Sequence, residues 1–174
     1  MRRNRIARWG AAAALVVLLS GCTMEKPVNP ASNSSASATS SSRSLADTEA
    51  AVAKVPGAGF KAARAWDGTT AYVTATLSVT DAFTGDPATL VDYSLAQLAS
   101  QDEVDRGRFV RFSFEAPGQT TETAKALLAS LGIDSEQYAG GSSLELANRD
   151  LDDRYGTWPA AVPDLPASFL NLTP

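Results

Sequence analysis

Histidine is absent from this chain of 174 residues, and cysteine occurs once. The first absence removes the Ser-His-Asp triad and every histidine-ligated metal arrangement. The second excludes an intramolecular disulfide. Phosphate-cradling glycine loops are missing too. Gly140-Gly141 stand as a lone pair, without the later glycine, lysine and hydroxyl that a nucleotide loop needs. Aromatic residues are sparse, at 7%. Basic residues are outnumbered, 15 against 19 acidic, and their distribution sharpens the imbalance.

Four of the basic groups (Arg2, Arg3, Arg5 and Arg8) lie in the first nine residues, which hold no acid. They precede an uninterrupted apolar run, Ala11 to Leu19, of nine residues. That run is too short for a membrane-spanning helix, which needs about 20 apolar residues. A positive start, a short apolar core and small residues behind it describe a secretory signal peptide.

The run ends in Leu19-Ser20-Gly21-Cys22. This segment resembles the lipobox of bacterial lipoproteins. The resemblance implies a diacylglyceryl group on the Cys22 thiol, cleavage between Gly21 and Cys22, and a membrane as the first partner. Two acyl chains anchor stably where one binds only marginally. The residues after Arg2-Arg3 do not continue as a twin-arginine signal, so the general secretory route is expected. Eleven arginines against four lysines, with abundant alanine, resembles the composition of a high-GC, actinobacterial proteome.

Removing residues 1–21 leaves 11 basic groups against 19 acidic, a net charge of −8. Such a surface is a poor partner for nucleic acid or for anionic lipid headgroups and repels anionic cell-wall polymers, whereas cationic ligands or partners with basic patches fit it better. Residues 22–44 are rich in Ser, Ala, Asn and Thr, carry no periodicity, and read as a disordered tether. A tether of this length reaches roughly 25 Å.

Regular pattern occupies 45–174, read as one domain. Leu45, Thr48, Val52 and Val55 recur at helical spacing up to Pro56-Gly57. Ala58 to Trp66 reads as a strand, Asp67-Gly68 as a hairpin turn, and Ala71 to Thr80 as a strand alternating apolar with polar residues. Asp86-Pro87 opens a helix running to about Gln101. Arg108 to Glu115 is a strand. Thr120 or Thr121 caps a further helix with the stripe Ala124, Leu127, Leu128, Leu131, stopped by Gly132. Ser142 to Glu145 matches a capping box, so a helix is expected from there to Gly156, with Glu145/Arg149 and Asp150/Arg154 as i, i+4 pairs. The alternation at Leu144 and Leu146 keeps a short strand open. From Trp158 to Pro174, four prolines exclude long helix, and an extended strap over the core is expected.

This order predicts an α+β fold, a small two-layer sandwich of helices on a short mixed or antiparallel sheet. Its first five elements loosely resemble the αββαβ unit of BON-type envelope modules, a topological likeness over about 70 residues.

No catalytic, metal-binding or cofactor-binding residue emerges. Asp102, Glu103 and Asp105, and again Asp150, Asp152 and Asp153, are acidic clusters without calcium-loop spacing. Lys54, Lys61 and Lys125 are available for a Ser-Lys dyad, but no motif places a serine beside them. The candidate binding surface is aromatic. Tyr72 and Phe109 fall on the polar faces of their strands and would meet if those strands are neighbours. Aromatic cross-strand pairs also stabilise sheets. The favoured expectation is therefore that this face is covered as well, by the strap carrying Trp158. The leading functional expectation is a non-enzymatic lipoprotein that presents a binding domain to an envelope protein or cell-wall partner. A carrier for a cationic or apolar small ligand is the alternative, and a carboxylate-dependent hydrolase a third.

Overall fold

The computed structural model describes residues 42–138 and 141–171. The signal segment, Cys22 and most of the tether lie outside them, as do the last three residues. The described chain is an α+β two-layer sandwich. In chain order its elements are α1 (Leu45–Val52), β1 (Ala58–Asp67), β2 (Thr70–Val79), α2 (Pro87–Ala99), β3 (Phe109–Glu115), α3 (Thr121–Ser130), β4 (Ser135–Gln137), β5 (Leu144–Ala147) and α4 (Asn148–Tyr155). A single 3-10 turn, Ala167–Phe169, lies in the C-terminal segment.

Each helix starts where the local chemistry provides a cap. Ser44 and Asp47 form a reciprocal capping box on α1. Asp86 accepts from the Thr89 N–H while Pro87 occupies the first turn of α2. Thr120, rather than Thr121, caps α3. These side chains satisfy N–H groups that no helix can satisfy internally at its start.

The five strands lie in the order β1-β2-β3-β5-β4. The pairs β1–β2, β3–β5 and β4–β5 are antiparallel, and β2–β3 is parallel, crossed over by α2. Register places Val73 beside Val110, Ala75 beside Phe112 and Leu77 beside Phe114. These residues face the helices and form one core with Phe60, Leu144 and Leu146 of the sheet. Leu90, Val91, Leu95 and Leu98 of α2 fill its centre and are essentially inaccessible to solvent. Each such side chain contributes about 1.5–3 kcal/mol by leaving water.

Two expectations are corrected. The helix read from Ser142 to Gly156 begins only at Asn148, because Leu144–Ala147 is strand β5. The alternation at Leu144 and Leu146 outweighs the capping-box pattern, since both leucines are buried against the core by pairing with β3. Glu145 consequently bonds Arg111, and Arg154 bonds Asp92. The i, i+4 ion pair that does form in α4 is Arg149–Asp153.

The second correction concerns the strap. It is extended as expected, but it lies along the helix layer. Ala160 N–H donates to the Ala99 carbonyl at the end of α2, and Gln97 Nε2 donates to the Pro163 carbonyl at 3.1 Å. The Phe169 ring packs edge-on against Phe83 and Tyr93. Among the described residues, nothing of the strap covers the other face of the sheet.

Candidate functional site

The sheet face opposite the helices is built from short side chains. Gly59, Lys61 and Ala63 on β1 pair with Ser78, Thr76 and Thr74 on β2, Ala65 pairs with Tyr72, and Ser113 on β3 lies beside Thr76. Lys61, Ala63, Ser78 and Glu115 are exposed on this face, and Thr74, Thr76 and Ser113 half-buried. Thr74 Oγ1 donates to the Ala63 carbonyl across the strands, at 3.2 Å. The result is a flat strip of hydroxyl and methyl groups.

An aromatic stack bounds this strip at one end. The parallel pairing of β2 and β3 sets Tyr72 beside Phe109, with ring centroids 4.9 Å apart and planes at 21°. Two residues along β3, Arg111 points to the same face and turns its guanidinium back over Tyr72, 4.3 Å from the ring centroid. Arg111 Nη1 also donates to the Tyr72 hydroxyl at 3.0 Å. Tyr138, just past β4, also meets the guanidinium, which lies 3.6 Å from its ring centroid. Glu145, opposite Arg111 in register on β5, accepts from Nη2 at 3.2 Å. Cation–π contacts of this kind contribute about 0.5–2 kcal/mol each, more as water is excluded.

The structure thus brings Tyr72 and Phe109 together, and it buries them more than their polar-face position suggested. Tyr72 is 8% exposed. The outermost ring is that of Tyr138, 37% exposed. Trp158 lies elsewhere. It lines a groove of about 400 Å³ with Gln101, Val104, Arg106 and Pro159, and Arg106 sits 5.9 Å from its ring centroid. Sequence reasoning missed Tyr138 because Ser135-Glu136-Gln137 has little strand propensity. The available signal was the two-residue step from Glu136 to Tyr138, which places both on one face.

No protein-family model matches the chain, no curated protein is detectably similar to it, and no solved structure matches its fold.

The acidic clusters are engaged locally. Asp102 Oδ1 accepts from Ser42 Oγ and the Arg43 N–H, both at 2.7 Å. Glu103 accepts from the Leu45 N–H. Asp105 accepts from the Gly107 N–H, and Asp150 from that of Asp134. Asp152 forms a two-pronged pair with Arg106, and this bond holds its carboxyl below the usual carboxylate range. Among the described residues, no three His, Cys, Asp or Glu side chains gather where they could hold a metal ion. Lys61 pairs with Glu49. Lys125 lines a groove of about 530 Å³ between α3 and β4, with Phe109, Ile133, Ser135, Glu136 and Leu146 among the other walls. The Ser135 hydroxyl at this groove is buried and has no hydrogen-bond partner.

Proposed function

We propose that this chain is an extracytoplasmic lipoprotein, held to a membrane through lipid on Cys22, whose domain is a non-catalytic binding module. Its partner, an envelope protein or a cell-wall polymer, is contacted through the open sheet face. The observation that carries this reading is the uncovered second face of the sheet. Free sheet faces are ordinarily furnished with long charged side chains. Here Lys61 pairs with Glu49 and the rows around it carry Gly, Ala, Thr and Ser, so a flat partner approaches the strands closely, with the Tyr138–Arg111–Tyr72 contacts as a border. Aromatic residues and arginine are the side chains that concentrate binding energy at interfaces.

The carrier reading, for a cationic or apolar ligand, draws on one feature. The groove between α3 and β4 has an apolar floor of Phe109, Ile133 and Leu146 and an acidic rim that includes Asp134 and Glu136.

In-cell photo-crosslinking separates the two. A photoreactive residue at position 76, in the middle of the open face, is expected to give one reproducible adduct. That adduct is lost when Cys22→Ala releases the chain from the membrane, and also when Ser113→Arg puts bulk on the same face without touching the core. Adducts formed only from position 129, beside the groove, would transfer the assignment to the carrier reading.

A further inference from the structure

Strand β4 is short, and where it stops it leaves a notch in the sheet. Its first residue, Ser135, pairs with Leu146 of β5. The next residue of β5, Ala147, pairs with Phe109 of β3 but, among the described residues, has no partner on its other side. Asp134, which would supply one, is turned toward α4, where its N–H donates to the Asp150 carboxylate at 2.9 Å. The groove of about 530 Å³ between α3 and β4 has Phe109, Ser135 and Ala147 of this notch in its walls. That volume lies within the range of small-ligand sites, roughly 300–1,000 Å³.

Ser135 is 8% exposed and shares the face of its partner Leu146, toward α3. Its hydroxyl has no hydrogen-bond partner. Buried hydroxyls are ordinarily paired, and one left without a partner lowers stability. The groove walls also carry charges of both signs. Lys125 stands on α3, with Asp134 and Glu136 on the β4 side, while Glu145, the remaining acid there, is engaged by Arg111. Among the described residues, Lys125, Asp134 and Glu136 belong to no ion pair, with one another or with any other group.

Opposite walls therefore hold opposite charges too far apart to neutralise each other. An occupant with an ammonium group at one end and a carboxylate at the other answers both. A simple cation meets Lys125 as a like charge, and an apolar molecule leaves all three charges and the Ser135 hydroxyl unanswered. Amide groups between the two ends suit that hydroxyl, which can donate and accept, and the unpaired edge of β5. Small side chains fit against exposed Ala129 and Ala147.

We propose that this groove binds a short zwitterionic peptide, with its ammonium group at Asp134 and Glu136, its carboxylate at Lys125 and its backbone against Ser135 and the notch beside Ala147. This rests on the carrier reading of the groove and replaces the cationic or apolar ligand with a zwitterion. The open-face reading does not depend on it.

The test titrates the full chain, in detergent micelles, with L-alanyl-L-alanine by calorimetry and follows backbone amides by NMR. Binding is expected, with shifts concentrated at Ala129, Ser135 and Ala147. The N-acetylated dipeptide lacks the ammonium group and the dipeptide amide lacks the carboxylate. Each should bind about fivefold more weakly, the upper range for an exposed ion pair. Lys125→Ala should erase the difference between the dipeptide and its amide. Ser135→Ala should weaken binding without lowering the melting temperature, because it removes an unpaired hydroxyl from the free protein. Equal affinity for the dipeptide and its amide overturns the proposal but leaves the groove to a cationic ligand, so the carrier reading survives. No binding by any of the three overturns the proposal outright, and photo-crosslinking from position 129 then decides separately whether the groove carries another ligand.

Discussion

The Arg111 guanidinium lies 3.6 Å from the centroid of the Tyr138 ring and is the innermost charge on the open sheet face. It holds the loop after β4 to the middle of the sheet. It also offsets a like-charge contact, because Glu136 and Glu145 are direct cross-strand partners on β4 and β5.

Arg111→Ala should therefore destabilise the domain by about 2 kcal/mol, combining the lost cation–π contacts with an unpaired Glu145. Urea denaturation measures this. In the Arg111→Ala background, Glu145→Gln is expected to restore part of the loss, because it removes the repulsion with Glu136. A double-mutant cycle showing strict additivity would contradict that coupling.

Asp86→Ala should cost about 1 kcal/mol, the usual worth of an N-cap. Hydrogen bonds from the Thr89 hydroxyl and N–H hold the Asp86 carboxyl below its ordinary range. A depressed folded value means that the stabilisation is complete above the unfolded value of about 4 and disappears as pH falls through the folded one. Wild type and variant should differ at pH 7 and converge in strong acid, as followed by thermal melts.

Tyr155 behaves in the opposite sense. Burial, chiefly, and the Asp92 carboxylate that accepts from its hydroxyl at 2.9 Å push its ionisation well above the ordinary value. The folded state therefore keeps a proton that the unfolded state releases above about pH 10. Stability contributed by Tyr155 is present below that pH and is lost as pH rises toward the folded value. Tyr155→Phe should flatten the loss of urea resistance at alkaline pH and cost about 1 kcal/mol at neutrality.

Gly107 joins the loop after α2 to the β1–β2 hairpin with φ near +67°, and a Cβ there would lie 2.2 Å from the Ala71 carbonyl oxygen. Gly107→Ala should destabilise by more than about 2 kcal/mol, through backbone strain and loss of the bridge to Tyr72. Hydrogen exchange should report it locally as faster exchange of the Arg108 amide, whose acceptor is the Ala71 carbonyl. A uniform change across all amides would indicate global destabilisation alone.

How legible each feature was follows from whether its cause is local. The helix starts at Asp86 and at Thr120 or its neighbour were readable because a cap is chemistry within four residues, whereas Ser44, taken as the end of the tether, proved to be the cap of α1. Strands β1 to β3 were readable from alternation, and Tyr72 beside Phe109 followed once β2 and β3 proved to be neighbours. The stretch from Ser142 to Gly156 was ambiguous, because a capping-box pattern and a two-residue alternation overlap at Leu144. Only the unfilled edge of β3, which β5 occupies, selects strand there. Strand β4 was invisible because Ser, Glu and Gln have no strand preference of their own, and pairing with β5 supplies it.

The sequence by itself determined the basic start and short apolar run ending at Cys22, the acidic character of the remainder, the absence of histidine and the α+β alternation of elements. These depend on composition and on residues close together in the chain. Tertiary structure alone decided which layer the strap covers, that Tyr138 closes over Arg111, and that Ser42 and Arg43 are fastened to Asp102 in the loop after α2. Those relationships join segments from 27 to 66 residues apart. They are set by which surfaces the sheet order leaves free and by backbone groups that need partners once water is excluded, and no local pattern records either.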